Sequence, residues 1–349
     1  MSASPNYFRT LKPISVQRLL LALAQRSLGL QEVKGFLAEQ PNALQDLLAL
    51  KVIREDGERF HLNFALYTKD DQIRIRKVVG PYADSLAKAL LARKENFHAA
   101  LGSYDVPGVD PRELSFLLLG CISLDWDGLD LTAEQGYRAA TGQHPDGAYV
   151  PHAEEVGSLP LKGIYWGSRT SEEEGCWFTS FGDDETRRLT PSNDHAGSMF
   201  RMMLALRESP RSMDELGRLP GFDRAEVEAL MPILKAYGWV ETRGTVIRVR
   251  IPVLVRKDEP MVNRVRALGR ETISAWLRQH YPALKAELGE LSYMRSGVPF
   301  PEGFTMIWHY LFGETNRRLV AAGMFADPYE ASRPFKGSLP MIAAWQINH

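Results

Sequence analysis

The sequence predicts a mostly helical α+β protein made of two like halves, with an aromatic β-hairpin between them. Three observations lead there. First, motifs recur in one order: Arg18-Leu-Leu-Leu-Ala-Leu23 returns as Arg201-Met-Met-Leu-Ala-Leu206, and further on Ile53-Arg-Glu-Asp-Gly57 aligns with Val240-Glu-Thr-Arg-Gly244 at a shift of 187. At the same shift Phe60, Leu62, Phe64 and Leu66 meet Ile247, Val249, Ile251 and Val253, and Leu101-Gly102 meets Leu288-Gly289. The tetrapeptide Gly157-Ser-Leu-Pro160 recurs as Gly337-Ser-Leu-Pro340. Second, the apolar period changes from 3.6 to 2 at the same place in each half. Third, 349 residues that are 44% hydrophobic and 24% charged supply enough apolar material for two cores.

Each element follows from local pattern. Ile14 to Arg26 carries Val16, Leu19, Leu20, Leu23 and Ala24 at helical spacing. A second helix spans Gln31 to Glu39, Asn42 is placed to cap a third over Ala43 to Leu50, and Gly57 marks a turn into an alternating strand. Asp70-Asp71 ends that strand, and a long helix runs from Val79 to Gly102. An apolar helix over Leu114 to Leu124 then leads to a polar turn. In the second half Met199 to Arg207 is helical and Ser212-Met-Asp-Glu215 has a capping-box pattern. Asp223 caps a helix through Tyr237, with a kink expected at Pro232. A strand covers Val246 to Val255, and a helix from Val262 to Leu288 is expected to break at Tyr281-Pro282. The expected domains are an arm (1–13), a first repeat (14–160), an insert (161–195) and a second repeat (196–349). The first repeat divides into 14–78, a long helix 79–102 and an extension 105–160. The second divides into 196–257, a helix 262–288 and an extension 291–349.

Three short helices followed by a β-ribbon with a Gly-containing turn resembles the winged helix-turn-helix superfamily. The likeness is strongest to bacterial transcriptional regulators with a long helix after the wing. It rests on element order over 14–101 and 196–288 and on the wing turns Glu55-Asp-Gly57 and Thr242-Arg-Gly244. It implies double-stranded DNA as partner, read by the third helix and steadied by the wing. The positions carried over are Asn42 and Gln45 in the first unit and Arg224 in the second.

Overall charge gives no basic field, since 42 Lys+Arg stand against 43 Asp+Glu. The second wing is different. Arg243, Arg248, Arg250, Arg256, Lys257, Arg264, Arg266 and Arg270 are opposed there by Asp258 and Glu259, so phosphate contacts are expected from this stretch. Alternation places Arg248 and Arg250 on one exposed face. The first wing is nearly neutral, and the third helices are acidic. A protein-interaction scaffold with degenerate winged helices therefore stands as the alternative, with plasmid or phage replication or maintenance as a variant of the DNA reading. A single chain acting as a pseudo-dimer, or a homodimer, would suit half-sites.

Other patterns point to recognition more than chemistry. Gly163-Ile-Tyr-Trp-Gly167 and Cys176-Trp-Phe-Thr-Ser-Phe181 read as a hairpin joined by the acidic turn Ser171 to Gly175. Its Tyr165, Trp166, Trp177 and Phe178 could face a small effector or partner, or could pack between halves with Phe181. Phe304, Trp308, Tyr310, Phe312 and Phe325 pose the same choice. Asp125, Asp127 and Asp130 lack the glycine and distal Glu of a calcium loop, and His144, His152 and His195 lack zinc spacing. Ser168 lacks the second glycine of a nucleophile elbow, and neither phosphate-loop nor dinucleotide fingerprint is present. Neither catalysis nor a cofactor is expected. Cys121 and Cys176 are too few for a disulfide framework, Leu114 to Leu124 is too short to span a bilayer, and the N-terminus has no signal pattern. The expected location is the cytoplasm, away from membranes.

Overall fold

A computed structural model describes residues 7–139, 153–155, 165, 168–173, 175–182, 195–334 and 336–347. The chain is α+β and mostly helical. Helix α1 (Tyr7–Leu11) precedes α2 (Ile14–Gln25), whose buried face is Val16, Leu19, Leu20, Leu23 and Ala24, as the spacing dictates. Strand β1 (Leu28–Gly29), α3 (Leu30–Phe36), α4 (Ala43–Ala49), β2 (Ile53–Asp56) and β3 (Arg59–Leu62) follow. The antiparallel sheet has the order β1-β3-β2, with Phe60 facing Leu28 on one side and Glu55 on the other. Gly57, at φ +61°, turns the hairpin. Asn42 does not cap α4: its own backbone is already helical and its side chain makes no cap bond. The turn is closed by Ala43 N–H donating to the Gln40 carbonyl at 3.0 Å.

Strand β4 (Leu66–Tyr67) leads directly into α5 (Lys69–Leu91), so the long helix starts ten residues before Val79. Asp70 and Asp71 form its first turn instead of merely ending a strand. The Asp71 carboxylate accepts from Thr68 N–H and from Ser292 N–H, both at 3.0 Å, which favours helix at that point. The expected single helix 79–102 is broken at 92–93, where Arg93 leaves the helical conformation, so that α6 (Lys94–Leu101) is a separate helix; α7 (Pro111–Ser115) opens the next stretch. A π-helix over Phe116–Asp127 and α8 (Gly128–Glu134) replace the expected helix and polar turn. Ser123 Oγ donates to the Leu118 carbonyl five residues back, at 3.1 Å. Strand β5 (Ala153–Glu154) pairs parallel with β4.

The insert forms a hairpin of β6 (Ser168–Glu173) and β7 (Cys176–Gly182), its first strand later than the expected 163–167, of which only Tyr165 is among the described residues. Glu173 pairs with Cys176, leaving two residues for the turn, with Gly175 at φ +74°. The acidic stretch therefore lies mostly in strand. Next come α9 (Ala196–Glu208), α10 (Met213–Leu216), α11 (Arg224–Ala236), β8 (Val240–Arg243), β9 (Val246–Val249) and β10 (Val253–Leu254). Helix α12 (Glu259–Glu287) passes through Pro282 unbroken. One lost backbone bond is outweighed there by Leu277, Tyr281 and Leu284, all buried at helical spacing. Helices α13 (Ser292–Arg295) and α14 (Phe300–Ala321) and strand β11 (Ser338–Ala343) complete the chain. The four-stranded sheet has the order β10-β11-β7-β6.

Pairings recur at the 187-residue offset. Ile53 opposite Leu62 corresponds to Val240 opposite Val249, and Phe60 and Ile247 are both buried at mid-hairpin. The strand after each hairpin, β4 or β10, pairs parallel with a late strand: Leu66 with Ala153, Val253 with Ile342. This register shows that the shared Gly-Ser-Leu-Pro tetrapeptide is out of step. Gly337 precedes its half's pairing position, whereas Gly157 follows its own; 157–160 lie outside the described residues.

Two compact units emerge, and each collects three separated segments. One comprises Met1–Tyr82, Thr132–Leu161 and Leu277–Leu311; the other Ala83–Leu131, Lys162–Trp276 and Phe312–His349. The first has a core around Val16, Leu23, Leu47, Phe60 and Leu62. The second has one around Phe178, Phe200, Met203, Leu230, Trp239 and Val249. No helix among the described residues is long and apolar enough to cross a membrane.

Candidate nucleic-acid interface

In the second unit, Ser212 Oγ accepts from Glu215 N–H at 3.3 Å while the Glu215 carboxylate accepts from Ser212 N–H at 2.6 Å. This reciprocal cap starts α10 as the motif required. Asp223 accepts from Ala225 N–H at 3.0 Å and starts α11, which buries Val227, Leu230, Met231 and Leu234. Arg224 is exposed but committed, at 2.9 Å from Glu228 and 3.2 Å from Asp214. Gly217 lets the preceding turn pass close to Arg224, because a Cβ there would lie 3.3 Å from the Arg224 Cα.

The hairpin turns at Gly244, φ +63°. Arg243 is exposed at its tip, with Nε 3.2 Å from Glu241, and Arg250 lies 3.8 Å from the same carboxylate. Arg248 is half-buried beside exposed Arg250, and its Nε has no hydrogen-bond partner. Arg256 pairs with Glu259 at 3.3 Å and lies over the Trp345 ring. Lys257 and Arg264 are exposed, without a carboxylate partner among the described residues.

Arg266 and Arg270 are both ion-paired with one aspartate. Arg266 Nη2 lies 2.6 Å from Asp127, which is fully buried in the π-helix, and Arg270 lies 3.5 Å from it. The aspartate is thus neutralised inside a helix, where the sequence suggested a polar turn. Asp258, counted as an opponent of the wing, accepts instead from buried Arg207, 3.4 Å away. Two carboxylates therefore escape a count made along the chain: Glu241, just before the basic stretch, and Asp127, far upstream. Exposed Arg218, in the turn after α10, and exposed Lys235, in the last turn of α11, carry further positive charge that the sequence reading did not single out. Counting cations in the turn before the third helix and in its last turn would have found them.

In the first unit Asn42 and Gln45 are exposed, and the charge on α4 is Asp46. Its hairpin arginines are engaged with carbonyls. Arg54 donates to Leu62 O at 2.9 Å and Ser296 O at 2.6 Å, and Arg59 donates to Ser27 O at 2.5 Å as well as to the Ser27 hydroxyl at 2.7 Å. The same unit holds a cleft of about 520 Å³ at the start of α5, where Lys69, Arg74 and Arg295 face Asp70, Glu155 and Glu290.

The aromatic residues of the insert pack inward. Trp177 and Phe178 are buried; Trp177 meets Trp126 edge-on, and Phe178 stacks on Phe200 and Trp239 at 5.7 and 5.5 Å. Phe181 packs edge-on against Phe116. Half-buried Tyr165 donates to Asp327, and burial pushes its hydroxyl up to about 12. Trp166 lies outside the described residues. Phe304, Trp308, Tyr310, Phe312 and Phe325 are all core side chains. Groups of three or more metal-type ligands are absent among the described residues, which exclude His144 and His152. His195 precedes α9, exposed, and Ser168 opens β6. Both thiols are buried, and burial pushes Cys121 well above its ordinary value.

Family models, curated proteins and solved structures were all compared with the chain. None matches.

Proposed function

We propose that the chain is a double-stranded-DNA-binding protein with two winged-helix heads, acting as a transcriptional regulator in the cytoplasm. The observation that carries this reading is the second head. Its order α9, a bridge at Arg211, α10, α11 and the β8–β9 hairpin puts exposed cations on the hairpin, on the flanks of α11 and on the start of α12. That is where a third helix and a wing meet a groove and its phosphates. Arg218, Lys235, Arg248, Lys257 and Arg264 are the proposed contacts, with Arg224, Arg243, Arg250 and Arg256 available once their carboxylates yield to phosphate. Arg266 and Arg270 hold the fold. The first head, with Asn42 and Gln45 outward, adds contact area more than charge.

Replacing Arg248, Lys257 and Arg264 together by Gln tests it. Binding to a mixed duplex pool at low salt should weaken, and the slope of log affinity against log salt should flatten by about 2 to 3, at ~0.9 per lost phosphate contact. Unchanged affinity and slope would reject the assigned patch. A protein-docking role is the second reading. It is favoured by α11, whose outward side carries Ala225, Ala229, Pro232 and Ile233 with Arg224 already paired. It expects no salt-sensitive duplex binding in the unaltered protein.

A further inference from the structure

We infer that each head is completed by an arm from the opposite half of the chain. The first head, 14–67, is covered within its unit by 291–298, a second-half segment. Arg54 Nη2 donates to Ser296 O and Ser296 Oγ donates to Leu23 O at 3.3 Å, while Ser292 N–H donates to Asp71 in the first turn of α5, just beyond the head. The fully buried Tyr293 ring meets Tyr67 edge-on at 5.4 Å. The second head, 196–254, is covered within its unit by 102–109, a first-half segment. The Tyr104 hydroxyl accepts from buried Val253 N–H at 2.8 Å and lies 3.2 Å from Val253 O, as the donor there. The Arg207 guanidinium sits 5.2 Å over the Tyr104 ring, and Val106 and Val109 pack onto the core.

The two arms are alike in placement. Each begins at or just after a Leu-Gly pair, 101–102 and 288–289, the two pairs being separated by the common offset of 187. Each reaches the corner where a short strand leaves the hairpin, near Tyr67 or Val253. Each includes a left-handed glycine beside a hairpin arginine, Gly297 (φ +83°) at Arg54 and Gly108 (φ +94°) at Arg250. A head of some 55 residues buries too small a fraction of its surface to be secure alone, so a reciprocal exchange of arms supplies what each lacks. The surface of one head thus has a defined partner, the arm of the other half, and damage to an arm is felt across the repeat.

Native-state hydrogen exchange of the full chain tests this. Tyr104→Phe should raise amide exchange in 196–254 about tenfold by orphaning the Val253 N–H, and leave 14–67 unchanged. Tyr293→Ala should do the reverse. If Tyr293→Ala does not fold, Gly297→Ala poses the same question, since its methyl would meet Arg54 Nη2 at 2.7 Å. Loosening confined to the head of the variant's own half, or equal in both heads, would overturn the inference.

Discussion

Several tyrosines report directly on the integrity of the fold. Burial is the chief cause holding Tyr82, Tyr104, Tyr165 and Tyr281 at about 12, against an ordinary value near 10. A folded-state value above the unfolded one means their contribution is complete below pH 10. It is lost as pH rises from about 10 to 12, because the unfolded chain then releases protons that the native chain retains. The protein should therefore unfold cooperatively in that window, with tyrosinate absorbance rising together with loss of helical circular dichroism. Helical circular dichroism that stays unchanged up to pH 12 would contradict this. At the same scale, Arg248 and Arg266 look alike in sequence, yet one has a buried Nε without a partner and the other neutralises a buried aspartate. Their difference is set by residue 127, which is 139 positions from Arg266.

At the scale of elements, the helix of π type and α12 meet tightly. A Cβ on Gly269 would lie 2.8 Å from the Ser123 Cβ, so glycine is needed for the approach. Gly269→Ala should cost about 1–3 kcal/mol in denaturant unfolding. Arg266→Ala should cost more, about 3–5 kcal/mol, because it leaves Asp127 buried without its closest cation. If Arg266→Ala were neutral in stability but impaired duplex binding, Arg266 would belong with the phosphate contacts. Element type was largely legible in the sequence: the first helix of each half, the capping box at Ser212 and the two hairpins lie where periodicity and turn residues put them. Boundaries shifted where tertiary partners intervened. Thr68 and Asp71 cap α5 reciprocally and Ser292 N–H holds the same carboxylate, so α5 starts early, and a buried apolar face carries α12 through Pro282.

At the scale of the whole molecule, the proposed DNA contacts rest on one head. The flattening of salt dependence expected from the triple Gln variant is a molecular property, since counterion release adds over the contacts. As a control, Arg270 replaced by Gln should leave the salt slope within about 0.5 of the parent value, its charge being directed at Asp127.

The sequence by itself determined the mostly helical α+β class and the order of helices and hairpins along the chain. These depend on apolar period, turn glycines and caps, which act over a few residues. The tertiary structure alone decided which arginines remain outward, which aromatic side chains are core, and which arm covers which head. Those outcomes depend on groups far apart along the chain, such as Asp127 with Arg266 and Tyr104 with Val253, and no local pattern encodes such a meeting. Charge and burial are properties of the space around a side chain, which exists only after the segments have come together.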